Sequence, residues 1–130
     1  MKKTIYTILL TLLCHVMLAQ EQEIIELNAL FEGKYEFALV KNGMEINFLK
    51  DGEVIRKEFF KIAEINWEEI YLNDGDSAIV VSCRDFYPNC IDRRIFKTKS
   101  RNQYDKTILK VNESEQAATA LELLKRFSSD

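Results

Sequence analysis

Cys83 and Cys90 are the residues whose type and spacing most directly imply chemistry. Two thiols seven positions apart, flanking a loop with the only proline, Pro88, are expected to close a structural disulfide in an oxidising compartment. A redox-active pair would have the tighter Cys-x-x-Cys spacing at a helix start that lowers the thiol pKa, and neither is visible. Two thiolates without histidine or further cysteine make no zinc site.

Charge is the second signal. Residues 20–78 hold 6 basic and 14 acidic side chains, whereas residues 79–111 hold 8 basic against 3 acidic. Arg84, Arg93, Arg94, Lys97, Lys99 and Arg101 are therefore a candidate patch for an anionic partner on adjacent strands. The plainer reading is a solvated outer face, with lysines guarding an edge strand and pairing with glutamates elsewhere. Phe86 and Tyr87, in the loop closed by the cysteines, are candidate contact residues.

The acidic clusters are Glu68-Glu69 and Asp74/Asp76. Asp-x-Asp suggests calcium, but the remaining ligands of a calcium loop do not follow at the required spacing. No catalytic residue, metal or cofactor is assigned. The only histidine, His15, falls in the first nineteen residues. If those are removed, histidine-based triads and histidine-ligated metals are excluded from this chain alone.

That N-terminal stretch reads as an address. Lys2 and Lys3 precede an apolar run from Thr4 to Leu18, and the small Ala19 stands before Gln20-Glu21-Gln22-Glu23. A positive start, a short apolar run and a small residue make a secretory signal peptide. The run is shorter than the roughly 20 residues a spanning helix needs. Cleavage near Ala19 would leave residues 20–130 as a single domain, with 16 basic and 21 acidic side chains. A periplasmic or secreted location follows, with no membrane insertion once the signal is gone. The acidic balance gives no reason to expect nucleic acid.

The elements that position these residues follow from periodicity. Ile24, Leu27, Leu30 and Phe31 form the apolar stripe of a short helix closed by Gly33. Tyr35, Phe37 and Leu39 alternate with Glu36, Ala38 and Val40, then Met44, Ile46 and Phe48 alternate with Glu45 and Asn47, and Asn42-Gly43 and Asp51-Gly52 mark hairpins. With a third strand over Glu53–Ile62 this predicts a three-stranded meander. Ala63–Leu72 fits either a bent strand or a helical turn. Ser77–Cys83 reads as a central strand, Ile91–Lys99 as a looser one and Tyr104–Val111 as the last. Ala117, Ala120, Leu121, Leu124 and Phe127 make one helical stripe, with Asn112 and Glu115 as a capping pair.

Six or seven strands with one apolar face each, followed by one amphipathic helix, call for a curled sheet plugged by that helix. This order resembles the pleckstrin-homology-like fold over residues 34–128: seven antiparallel strands in two sheets forming a split barrel, capped by a C-terminal helix. With the short helix in front, the chain is similar to small exported bacterial proteins of unknown function that carry such domains. A cystatin-like α+β arrangement is the alternative. Pleckstrin-like domains that bind phosphoinositides use basic residues around the first hairpin. Here Lys41 and Lys50 share it with Glu45 and Glu53, so the resemblance implies no phosphoinositide site.

The expectation is a mainly β, exported, non-catalytic binding or interaction domain whose partner is another envelope protein or a peptide. No oligomeric state is implied. The alternative is a small-molecule or lipid carrier with a cavity between sheet and helix.

Overall fold

The computed structural model describes residues 20–73, 75 and 77–129. The signal segment expected over residues 1–19, and Asp74 and Asp76, lie outside the described residues.

Residues 20–30 form helix α1. Its Leu27 and the following Phe31 are buried, and Gly33 ends the turn with φ 84°. Asn28 ties the helix to the first strand: its amide nitrogen donates to the Phe37 carbonyl at 2.9 Å, and its amide oxygen accepts the Phe37 N–H at 2.6 Å. The meander follows as β1 (Tyr35–Val40), β2 (Gly43–Lys50) and β3 (Glu53–Lys61). Both hairpins turn where the sequence predicts, with Asn42 at φ 63° and Asp51-Gly52 at 52° and 82°. Gly43 itself does not have positive φ. It is required because a Cβ there would lie 2.5 Å from the Phe59 ring and 2.7 Å from the Phe60 carbonyl oxygen.

The ambiguous Ala63–Leu72 stretch contains two 3-10 turns (Ile62–Glu64 and Trp67–Glu69), an Ile65 bridge to Cys83 and the start of β4 (Tyr71–Asn73). Strand β5 (Ala78–Ser82) is the central one of its sheet, buried from Ala78 to Val81. Where one strand was expected over Ile91–Lys99, the chain forms β6 (Ile91–Ile95), a turn over residues 96–99, and β7 (Ser100–Tyr104). Strand β8 (Lys106–Lys110) starts after a single intervening residue, Asp105. The described residues therefore hold eight strands rather than about seven.

The strands form two antiparallel sheets, ordered β1-β2-β3-β6-β7 and β4-β5-β8. The sheets do not close into a barrel, and the arrangement is compatible with a split barrel. Helix α2 (Ser114–Lys125) lies against β4 and β5 and buries Ala117, Ala120, Leu123 and Leu124. Leu123 thus takes the core position expected for Leu121, which is half-buried at the margin. The expected capping pair also does not form. The helix begins at Ser114 with Glu113 before it and no side-chain cap. Instead Gln116 reaches back, its oxygen accepting the Asn112 N–H at 3.4 Å and its nitrogen donating to the Leu30 carbonyl at 2.5 Å. A tertiary tie to α1 replaces a local one.

Rings fill the space beneath α2. Trp67 stands 5.2 Å from Phe127 and 5.9 Å from Phe60, centroid to centroid, and its indole N–H donates to the Ile62 carbonyl at 2.8 Å. A second ring cluster joins Phe31, Tyr35 and Phe48.

Candidate functional site

Strand β3 breaks its own hydrophobic alternation. Arg56, Glu58 and Phe60 share one face by the two-residue period, and that face is the buried one. Glu58 is fully buried, with an accessibility of 0%. A lone carboxylate there would cost several kcal/mol, so it must be paired. The pairing is non-local. Register sets Glu58 opposite Arg93 of β6, whose Nε–H donates to Glu58 Oε2 at 2.5 Å, while Arg56 Nε lies 3.3 Å from the same oxygen.

Each guanidinium also has a ring beneath it. Arg56 Cζ sits 3.8 Å from the Phe48 centroid and Arg93 Cζ sits 4.0 Å from the Tyr104 centroid. One carboxylate and two aromatic faces thus fix two arginines side by side. Arg93 bonds to Glu58 through Nε alone, which leaves its Nη groups for other partners. Burial holds the Arg56 pKa below the ordinary arginine value, against the opposing pull of Glu58, and the Arg93 charge lowers it further.

Phe48, Arg56, Arg93 and Tyr104 line a cleft of about 490 Å³ on one face of the five-stranded sheet, walled by Lys106, Ile108 and Lys110 of β8. Tyr35 closes one end, where its hydroxyl oxygen accepts the Lys110 N–H at 2.8 Å. Burial holds the Tyr35 pKa above the ordinary tyrosine value, partly offset by that hydrogen bond and by Arg56. Four cations (Arg56, Arg93, Lys106 and Lys110) face one anion, Glu58, so the cleft carries a net positive charge. Asp105, at the β7–β8 junction, turns its carboxylate to the disulfide loop, accepting the Asn89 N–H at 2.7 Å.

The residues expected to form one basic patch are divided among several places. Arg93 alone of the six enters the cleft. Arg94 and Arg101 pair across β6 and β7 on the opposite face, in a row with Lys57 of β3. Within that row Arg101 forms a forked pair with Asp92, Nη2 to Oδ2 at 2.6 Å, which raises the pKa of this fully exposed guanidinium. Lys97 and Lys99 occupy the β6–β7 turn, exposed. Arg84 borders a separate hollow near Trp67 and Phe127, its Nε–H donating to the Ala63 carbonyl at 3.2 Å.

Cys83 and Cys90 are joined in a disulfide, with Cα atoms 5.9 Å apart. The loop is tied down at Cys83 N–H to the Asp105 carbonyl (2.8 Å) and Arg84 N–H to the Glu64 carbonyl (2.8 Å). Phe86 stands at its tip with 93% of its surface exposed, and Tyr87 is about half exposed. Glu68 and Glu69 are exposed in their 3-10 turn. Among the described residues no three histidine, cysteine, aspartate or glutamate side chains gather to hold a metal ion.

Lys106 and Lys110 belong to the basic segment 79–111 but not to the six-residue candidate patch, and Arg56 belongs to neither. Arg56 lies in the acidic half of the chain, and its role depends on Glu58 and Arg93, 35 residues apart. The usable signal was two charged residues on the same strand face as Phe60. Comparison with protein-family models, with curated proteins and with solved structures finds no match.

Proposed function

We propose that the chain is an exported, non-catalytic binding domain that receives a negatively charged ligand in the cleft between β8 and the five-stranded sheet. The observation that carries this reading is the pair of arginines locked side by side by fully buried Glu58 and backed by Phe48 and Tyr104. Pre-oriented guanidiniums lose little rotamer freedom on binding an oxyanion and offer it several donors at once. Lys106 and Lys110 at the rim supply the field that draws an anion in.

A non-catalytic role is favoured because the one carboxylate at the cleft, Glu58, is buried and engaged by both arginines. The ring packing of Phe60, Trp67 and Phe127 beneath α2 favours a cleft binder over a carrier with a cavity between sheet and helix. Export is supported by the signal-like residues 1–19 and by the disulfide. Among the described residues no helix is long and apolar enough to cross a membrane. The order of strands in two antiparallel sheets followed by a terminal helix supports a resemblance to the pleckstrin-homology-like fold.

Calorimetric titration with citrate at constant ionic strength tests the reading. Citrate should bind the wild type and bind at least tenfold more weakly to a Lys106→Glu/Lys110→Glu variant, whose altered side chains are both exposed. Undiminished binding to that variant, or none to the wild type at millimolar citrate, would overturn it.

A further inference from the structure

The cleft has a second property besides charge, which is that one of its walls is a free strand edge. Strand β8 pairs with β5 on one side only and ends its sheet. The direction of its backbone groups can be read along the strand. Val111 N–H donates to the Ser77 carbonyl and the Asp105 carbonyl accepts from Cys83 N–H, so the odd-numbered residues bond towards β5. Lys110 N–H instead reaches the Tyr35 hydroxyl in the cleft. By the alternation of antiparallel ladders, the N–H and C=O of Lys106 and Ile108 point the same way, and among the described residues no other strand pairs with them. The same three residues present their side chains to the cleft. From Lys106 to Lys110 the edge runs about 13 Å, four steps of roughly 3.3 Å.

Sheets usually protect such an edge with charge or a cover. Here the lysines at its two ends repel other cationic edges, but with Arg56 and Arg93 on the cleft floor they favour an acidic occupant. Resting on the reading of the cleft as an anion site, we infer that its ligand is an extended acidic peptide segment that adds as a strand to the free edge of β8. Main-chain bonds to Lys106 and Ile108 supply the pairing, as in other strand additions. Residues directly opposite on an added strand have Cβ atoms about 5 Å apart. The favoured segment therefore reads acidic-x-apolar-x-acidic, with the acidic residues opposite Lys106 and Lys110 and the apolar one opposite Ile108. A sulfated glycan or a small polyacid would satisfy the cations but make no use of the edge amides.

The test uses the disulfide-bonded chain and a labelled peptide, Ser-Glu-Thr-Val-Thr-Glu-Ser, acetylated and amidated, read by fluorescence anisotropy. The peptide should bind, and N-methylation at its valine, which removes one ladder donor and leaves the charge unchanged, should weaken binding at least tenfold. On binding, the Ile108 amide should gain protection from hydrogen exchange. If the N-methylated peptide binds as tightly as the parent, or Ile108 gains no protection, the strand-addition inference is overturned while an anion site remains. If the parent peptide does not bind but citrate does, the inference again fails alone. If neither binds, the anion-site reading falls with it. Self-association of the free chain through β8, seen by sedimentation and abolished by Ile108→Lys, would also overturn it, because a second copy would then occupy the edge.

Discussion

Glu58 and Arg93 stand directly opposite each other on β3 and β6, and their side chains meet at 2.5 Å beneath the cleft that Arg56 also lines. This cross-strand pair couples the fold to the site: it gives one oxygen of a fully buried carboxylate a charged partner, leaves Glu58 Oε1 without a hydrogen bond, and places two guanidiniums beside each other. Such a pair need not add net stability, but losing one partner strands the other.

Glu58→Gln should therefore lower the unfolding free energy by about 3 kcal/mol, since Arg56 and Arg93 lose their common counter-ion. Urea unfolding followed by circular dichroism checks this. A change under about 0.5 kcal/mol would mean that solvent already screens the arginines.

Tyr35 gives the fold an alkaline sensitivity. Burial raises its pKa above the usual 10.0, so the folded state holds the phenolic proton more tightly than the unfolded chain does. The associated stability is fully present below about pH 10 and is lost as pH rises through the folded-state pKa. Thermal melts should show stability falling above pH 10, with a shallower fall in Tyr35→Phe. That variant should also be about 1 kcal/mol less stable at neutral pH, because the Lys110 N–H loses its acceptor.

Replacing Cys83 and Cys90 by serine should cost roughly 2–3 kcal/mol, the chain entropy of so short a loop. Hydrogen exchange should quicken most at Asn89, whose N–H is held by the Asp105 carboxylate. Chemical denaturation and amide exchange read the two effects separately.

Gly43→Ala should destabilise by about 1–3 kcal/mol, because the new Cβ would sit 2.7 Å from the Phe60 carbonyl oxygen, on backbone that cannot simply rotate away. The denaturation midpoint of the variant checks it. Phe59→Ala alongside should relieve only the part of the clash that involves the ring.

The parts of the fold legible in the sequence are those coded locally. Asn42 and Asp51-Gly52 force the first two turns, and the two-residue period of Tyr35 and Phe37 in β1 and of Met44, Ile46 and Phe48 in β2 marks which faces are buried. The all-apolar run of β5 marks a strand central to its sheet. Strand β7 was hidden because Ser100-Arg101-Asn102-Gln103-Tyr104 lies at a sheet edge with almost no apolar face to reveal its period. Its preceding turn, Phe96-Lys97-Thr98-Lys99, holds no glycine or proline and places Lys99 at φ 54°, where lysine is uncommon. The site was half legible. The basic stretch showed where charge lay but not on which face, and neighbouring Arg93 and Arg94 serve opposite faces. The partnership of Arg56, Glu58 and Arg93 is fixed by sheet order, which no local pattern in β3 or β6 encodes.

The first measurement to make is a two-dimensional NMR titration of the side-chain Nε–Hε and Nζ signals with citrate at constant ionic strength. Arg56 and Arg93, with Lys106 and Lys110, should shift together along one saturating curve, while Arg94 and Arg101 stay in place. Shifts confined to Arg94, Lys97 and Lys99, or no saturating shift at any arginine, would contradict an anion site in the cleft.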